Sequence, residues 1–160
     1  MNIFNKCYCR AFQAAFRLAL PLLPYRTPQL IPQIAKLPQI LKQRHSSRVL
    51  IVTDAAITRL HLTRPLEQAL TDHGISWFIY DSTAANPTTA NVEEARELYL
   101  SHRCDTIIGF GDGSSIDCAK AMGARIAKPR QPLSKMKGIL KVRRKLPLFV
   151  AIPTTAGTGS

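Results

Sequence analysis

Between Gly109 and Asp117 the chain sets out residue types suited to holding a phosphate. Gly109, Gly111 and Gly113 alternate with Phe110 and Asp112. Glycines at this density allow positive φ and let a bulky ligand approach the backbone. Ser114 or Ser115 then supplies an N-cap, and residues 116–127 continue as a helix. Ahead of the glycines, residues 106–108 form a short β-branched run, read as a buried strand. Strand, glycine loop and helix start make a phosphate cradle, because the loop offers free N–H groups and the helix end carries partial positive charge. The spacing is not that of a P-loop, since no Gly-Lys-Ser/Thr follows. It also differs from the usual dinucleotide fingerprint, since Gly-x-Gly-x-Gly stands where Gly-x-Gly-x-x-Gly is expected. Taken alone, the stretch also has the pattern of a tight strand-to-helix turn that binds nothing, the lesser of the two readings.

Other groups add to this chemistry. Asp54 closes a continuous apolar run, residues 48–54, where an acid can bind the hydroxyls of an adenosine ribose. A second hydrophobic strand, residues 146–152, runs into a loop rich in hydroxyls and glycine that carries Thr154, Thr155 and Thr158. Asp117 falls in the first turn of the helix after the glycines, where a carboxylate complements the dipole. Asp112 places a carboxylate inside the loop that would receive a diphosphate. At short range such like charges cost on the order of 1 kcal/mol or more, unless the side chain points away. His45, His61, His73 and His102 are scattered. None has the His-x-x-x-His or Asp-x-x-x-His spacing of a metal site on one helix face. Each reads as a surface or capping histidine, and no catalytic residue is identified.

The elements that must position these groups alternate along the chain. Residues 3–23 are basic and amphipathic, with Phe4, Tyr8, Phe12, Phe16 and Leu20 on one stripe and Lys6, Arg10, Gln13 and Arg17 off it. Gln13 and Arg17 interrupt the apolar run of a secretory signal, and the segment is too short and charged to span a bilayer. A helix packed on the protein body or on a partner subunit and a peripheral membrane helix both remain open. A proline-punctuated connector follows, with a short helix around residues 39–43. The division expected is a helix and connector over residues 1–45 and a binding domain over residues 46–160.

Within that domain, residues 65–72 read as helix with Gly74 as its stop, residues 76–80 as strand and residues 81–89 as loop. A helix starting at Asn91, with Glu93 and Glu94 in its first turn, runs to about residue 102. Residues 128–145 form a basic connector, a solvated loop or an anion patch. The last strand is apolar throughout, as suits an element covered on both faces. Strands alternating with helices predict an α/β fold with a doubly wound parallel sheet, and ligands in such sheets bind beyond the C-terminal strand ends.

Composition bounds the function. A chain of 160 residues suggests one domain with a real core. Four cysteines without a C-x-x-C pair point to a reducing compartment, and a cytoplasmic location is expected. The net charge of +12 would ordinarily indicate nucleic acid or an anionic membrane. Its distribution argues otherwise. Residues 1–53 carry eight Lys/Arg and residues 118–160 carry ten, and all ten acids lie between Asp54 and Asp117. If the chain is part of a longer protein, the remainder can balance that excess. A basic protein that holds nucleic acid or membrane by its termini is kept as the rival reading.

Two long motifs carry a resemblance. Gly111-Asp112-Gly113-Ser114-Ser115-Ile116-Asp117-Cys118-Ala119-Lys120 resembles the Gly-Gly-Gly-Ser-x-x-Asp-x-Ala-Lys signature of the iron-containing (group III) alcohol dehydrogenases. Pro153-Thr154-Thr155-Ala156-Gly157-Thr158-Gly159-Ser160 is similar to that family's Pro-Thr-Thr-Ala-Gly-Thr-Gly-Ser-Glu, up to the glutamate. Asp112 departs from the middle glycine of the first motif. The resemblance runs from about Tyr25 onward and covers only the N-terminal, nucleotide-binding half. It implies a Rossmann-like, dehydroquinate synthase-like N-terminal domain without the C-terminal helical metal domain.

The resemblance also implies an NAD(P)-dependent exchange of hydride between an alcohol and a nicotinamide cofactor. NAD is favoured by Asp54, which matches the position that discriminates against a 2′-phosphate, with NADP as the alternative. Asn86-Pro87-Thr88 is similar to the family's Asn-Pro-Thr loop near the adenosine, or is simply a turn. Asp117 is placed at the cofactor site, with Gly111, Gly113, Ser114 and Ser115 around the diphosphate. Thr154, Thr155 and Thr158 resemble threonines that contact the phosphates and the nicotinamide end. Fe²⁺ or Zn²⁺ is expected only in the C-terminal domain, a small alcohol or aldehyde as substrate and a homo-oligomer as the assembly. The expectation for these residues is an N-terminal fragment inactive alone. A related glycerol dehydrogenase-like enzyme shares the glycine loop but is disfavoured by the complete threonine motif.

Overall fold

The computed structural model describes residues 28–136, 142 and 144–155. The amphipathic segment 3–23 and Thr158 lie outside them. The chain divides into two units, Met1–Ile31 and Pro32–Ser160, and the second carries the sheet.

A 3₁₀ turn, Ile34–Lys36, leads into α1, Leu37–Gln43. Leu37 and Leu41 bury fully, so this helix belongs to the second unit. Then follow β1 (Arg48–Val52), α2 (Ala55–Arg59), α3 (Arg64–Asp72), β2 (Ser76–Tyr80), α4 (Thr89–Ser101), β3 (Thr106–Gly111), α5 (Gly113–Ala127), a 3₁₀ turn Leu133–Lys135, and β4 (Leu148–Pro153). All three strand pairs are parallel, in the order β2-β1-β3-β4. This is the doubly wound α/β sheet expected from the alternating pattern. Leu50 pairs with Ile107 and with Phe78, and Ile108 pairs with Val150. β3 is buried along its whole length because β1 and β4 flank it and α5 packs over it.

One face of the sheet buries Leu50, Val52 and Ile107 against Val92, Ala95 and Tyr99 of α4 and Cys118, Ala119 and Met122 of α5. A strand's side chains alternate between faces, so Val49, Ile51 and Ile108 point to the other face; all three are fully buried. Gly109 matters to the first face. A Cβ there would lie 3.1 Å from Ile116 Cα and 3.2 Å from Ala119 Cβ, so its absence lets α5 lie close on β3.

Several boundaries differ from those read on the sequence. β3 runs through Gly109 to Gly111, so two of the three glycines are strand residues rather than loop. The N-cap of α5 is Asp112, not Ser114 or Ser115, because its carboxylate reaches the Ser115 N–H at 3.1 Å. Helix α4 begins at Thr89 under a capping box. Thr88 Oγ1 accepts the Asn91 N–H at 3.2 Å, and Asn91 Oδ1 accepts the Thr88 N–H at 3.1 Å. Asn91 is thus the third helical residue, and Glu93 and Glu94 sit beyond the first turn. β4 is not covered on both faces: Leu148, Phe149 and Val150 are half-buried and Ala151 is exposed, and α5 is the described helix that packs on it. Helix α2 appears where the sequence showed only a strand end, because Asp54 caps it.

Candidate functional site

The chain crosses the sheet from β2 to β3 past β1, so consecutive connections leave β1 and β3 in opposite directions. The C-terminal ends of these two strands form the crevice where such sheets hold ligands. Asp54 lies at one side. Its Oδ1 accepts the N–H groups of Ala56 (2.8 Å) and Ile57 (3.1 Å), which fixes the carboxylate at the start of α2. Its Oδ2 points toward β3 and stands 3.5 Å from where a Cβ on Gly111 would lie.

Gly111 has φ +136°, a backbone state that side chains disfavour. A Cβ there would also lie 2.9 Å from Ser115 Oγ. The glycine therefore keeps open the space between Asp54 and the start of α5. Ser115 is fully buried, and its hydroxyl has no hydrogen-bond partner among the described residues. Gly113 and Ser114 occupy the first turn of α5, so their N–H groups have no acceptor four residues back.

The loop after β2 reaches the same place. The Ser114 hydroxyl donates to the carbonyl of Ala85, beside Asn86, which is exposed. An isolated antiparallel bridge joins Asp54 to Ser82, and the Thr83 N–H donates to the Thr53 carbonyl at 3.3 Å. Asn91 Nδ2–H donates to the Ser82 carbonyl (3.0 Å) and to Tyr80 Oη (3.2 Å), and Tyr80 donates to Glu94 at 2.7 Å. Burial and the Glu94 hydrogen bond push the Tyr80 phenol above its ordinary range, so it stays a donor. On the far side, the Thr154 N–H donates to the Gly111 carbonyl at 2.9 Å, extending the β3–β4 pairing by one residue, and Thr155 is exposed next to it.

Asp54, Gly111, Gly113, Ser114, Ser115 and Thr154 thus share one crevice, with Asn86 on the adjoining loop. Asp117 does not join them. The Asp112 cap starts α5 earlier than expected, which puts Asp117 in the second turn. There it is exposed and pairs with Lys120 at 3.5 Å. The loop-holding set of Tyr80, Glu94 and Asn91 went unread on the sequence, although Thr88-x-x-Asn91 is a capping pattern that signals it.

The donor set fits a dinucleotide. A glycine clears the backbone approach, first-turn N–H groups lie beside it, and a carboxylate oxygen remains for ribose hydroxyls. One group opposes the fit: the Asp112 carboxylate already occupies the helix start. For a metal ion the described residues offer no group of three or more His, Cys, Asp or Glu. The four histidines stand at separate helix ends; His73 contacts the Ala69 carbonyl at 2.8 Å and His102 stacks on Phe78 at 3.8 Å. No described helix is long and apolar enough to cross a membrane.

Comparisons with known proteins bear on the family and the fold. Two curated relatives are a sulfoacetaldehyde reductase from Bilophila wadsworthia, 34% identical over 120 residues (75% of this chain, 31% of the relative), and a choline dehydrogenase from Bacillus subtilis, 34% identical over 116 residues (71% and 29%). Among solved structures, an alcohol dehydrogenase from Oenococcus oeni superposes with a TM-score of 0.74 at 29% identity, covering 79% of this chain and 33% of that one. The chain therefore spans about a third of the length of the relatives it matches. The family model for iron-containing alcohol dehydrogenases matches residues 31–160, the whole of the sheet-bearing unit, and the chain belongs to that family.

Proposed function

We propose that this chain forms the NAD-binding half of a metal-dependent alcohol dehydrogenase, with the crevice between β1 and β3 as the cofactor seat. The observation that carries the reading is the placement of Asp54 Oδ2 beside the space that Gly111 keeps open. In this role Gly111 admits the diphosphate, and the N–H groups of Gly113 and Ser114 bind it. Asp54 accepts from the ribose hydroxyls, Asn86 lines the adenosine side, and Thr154, Thr155 and Thr158 are assigned by their motif to the phosphates and the nicotinamide end. Asp117, in the second turn of α5 and paired with Lys120, is given no role in this reading. The bound nicotinamide supplies hydride acceptance and a metal ion supplies polarisation of the alcohol oxygen. Iron or zinc would be held by residues that the longer relatives carry outside the matched third. A homo-oligomer acting on a small alcohol or aldehyde completes the reading.

No residue of this segment is assigned to substrate choice. The chain is 34% identical both to an enzyme named for an anionic aldehyde and to one named for a cationic alcohol.

NAD is preferred to NADP because a 2′-phosphate would meet the fixed Asp54 carboxylate. The test is Asp54→Asn, since asparagine keeps the cap on α2 and removes only the charge. Titration with each cofactor should show the NAD preference falling about tenfold, the equivalent of roughly 1.4 kcal/mol. An unchanged ratio of the two dissociation constants refutes the role assigned to Asp54.

A further inference from the structure

We propose that Asp112 is a resident anion on the diphosphate seat and that its charge sets how tightly this chain holds a nucleotide diphosphate. The inference rests on the nucleotide reading above. The start of α5 presents the N–H groups of Gly113, Ser114 and Ser115, and the Ser115 N–H is already taken by Asp112 Oδ1 at 3.1 Å. The two hydroxyls nearby do not enlarge the seat. That of Ser114 is donated to the Ala85 carbonyl, and that of Ser115 is buried behind Gly111.

Among the described residues no Lys, Arg or His pairs with Asp112: Lys120 pairs with Asp117, and Arg125 with Glu93. What holds Asp112 in place is what would hold a phosphate, namely free N–H groups at the positive end of a helix. A diphosphate arriving there either displaces the side chain from its cap or binds beside a like charge. The adenosine end of the crevice, at Asp54 and the loop around Asn86, is untouched by this conflict. The penalty therefore falls on the phosphates alone.

That selectivity makes the inference testable with two probes, ADP and adenosine, titrated against the 160-residue chain by ligand-observed NMR, which reads millimolar affinities. The variant is Asp112→Asn, because asparagine caps a helix as well as aspartate does and removes only the charge. Its ADP dissociation constant should fall about tenfold, its adenosine constant should not move, and its melting temperature should match the parent's. Asp112→Ser, another good N-cap without charge, should behave alike and guards against a folding defect in the first variant. If both ligands bind and neither variant changes ADP affinity, the inference fails while the nucleotide reading stands. Weaker ADP binding in both variants also overturns it, since the carboxylate would then be assisting. If neither probe binds the parent or the variants, the nucleotide reading fails and takes this inference with it.

Discussion

At Gly111 two independent restrictions coincide. Its φ of +136° disfavours side chains on conformational grounds, and the Ser115 hydroxyl lies only 2.9 Å from the position a Cβ would take. Gly111→Ala should therefore destabilise the chain by roughly 2–3 kcal/mol, from backbone strain and overpacking together. It should also weaken ADP binding, because the methyl group enters the space beside Asp54. Denaturant unfolding and ADP titration check the two effects, and a variant as stable as the parent would refute the strain assigned to this position. Asp117→Ala is the control. An exposed i,i+3 pair contributes at most about 0.5 kcal/mol, so neither measurement should change appreciably.

Four helices of the sheet-bearing unit end alike. In α1, α2, α3 and α4 the residue after the cap takes positive φ: His45 (58°), His61 (56°), Gly74 (66°) and Arg103 (51°). The next N–H then reaches back five residues, from Ser46 to Leu41, Leu62 to Ile57, Ile75 to Leu70 and Cys104 to Tyr99, at 2.9–3.1 Å. Each is a Schellman turn, which satisfies a carbonyl the helix would otherwise leave open. Glycine holds that position in only one of the four. The other three residues bear a left-handed conformation that side chains disfavour, at about 1 kcal/mol each. His61→Gly and Arg103→Gly should each stabilise the chain by about 0.5–1 kcal/mol, after allowing for glycine's extra freedom when unfolded. Gly74→Ala should destabilise it by about 1 kcal/mol. Thermal melts of the three variants decide the matter, and stabilisation by Gly74→Ala would show the turn to be unstrained.

Over the whole molecule, two carboxylates, Asp105 and Glu93, tie together elements that are distant in sequence. At the N-terminal ends Asp105 gathers Ser46 Oγ (2.9 Å), Ser47 N (2.8 Å), Ser47 Oγ (3.0 Å), Arg48 N (3.1 Å) and Thr106 Oγ1 (2.9 Å), which joins the entries of β1 and β3. Burial disfavours the Asp105 charge, but the Ser47 N–H and the serine and threonine hydroxyls outweigh it and hold the carboxyl below its usual range. The Arg125 hydrogen bond does the same for Glu93, linking α5 to α4. A carboxyl depressed by folding contributes stability above its unfolded pKa, and that contribution is lost as pH falls through the lower folded value. Unfolding free energy should therefore hold near neutrality and decline below about pH 4. Asp105→Asn should cost about 2 kcal/mol at pH 7, because its amide meets N–H donors, and should flatten the acid decline. An acid slope equal to the parent's would show that Asp105 carries no part of it.

Much of this could be read from residue order alone. The apolar runs at β1 and β3 are continuous because strands buried on both faces need no polar alternation. Their alternation with helices settled the parallel class, and the glycine and threonine motifs located the crevice. What residue order left open was decided where distant groups compete for the same atom. Ser114, Ser115 and Asp112 are all good N-caps, and only the path of β3 through Gly111 put the Asp112 carboxylate on the Ser115 N–H. That same choice moved Asp117 out of the first turn and freed Ser114 to hold the Ala85 loop. Asp54 facing Gly111 likewise follows from β1 lying beside β3 with β2 on its other flank, an order that strands of near-equal length and hydrophobicity do not encode locally.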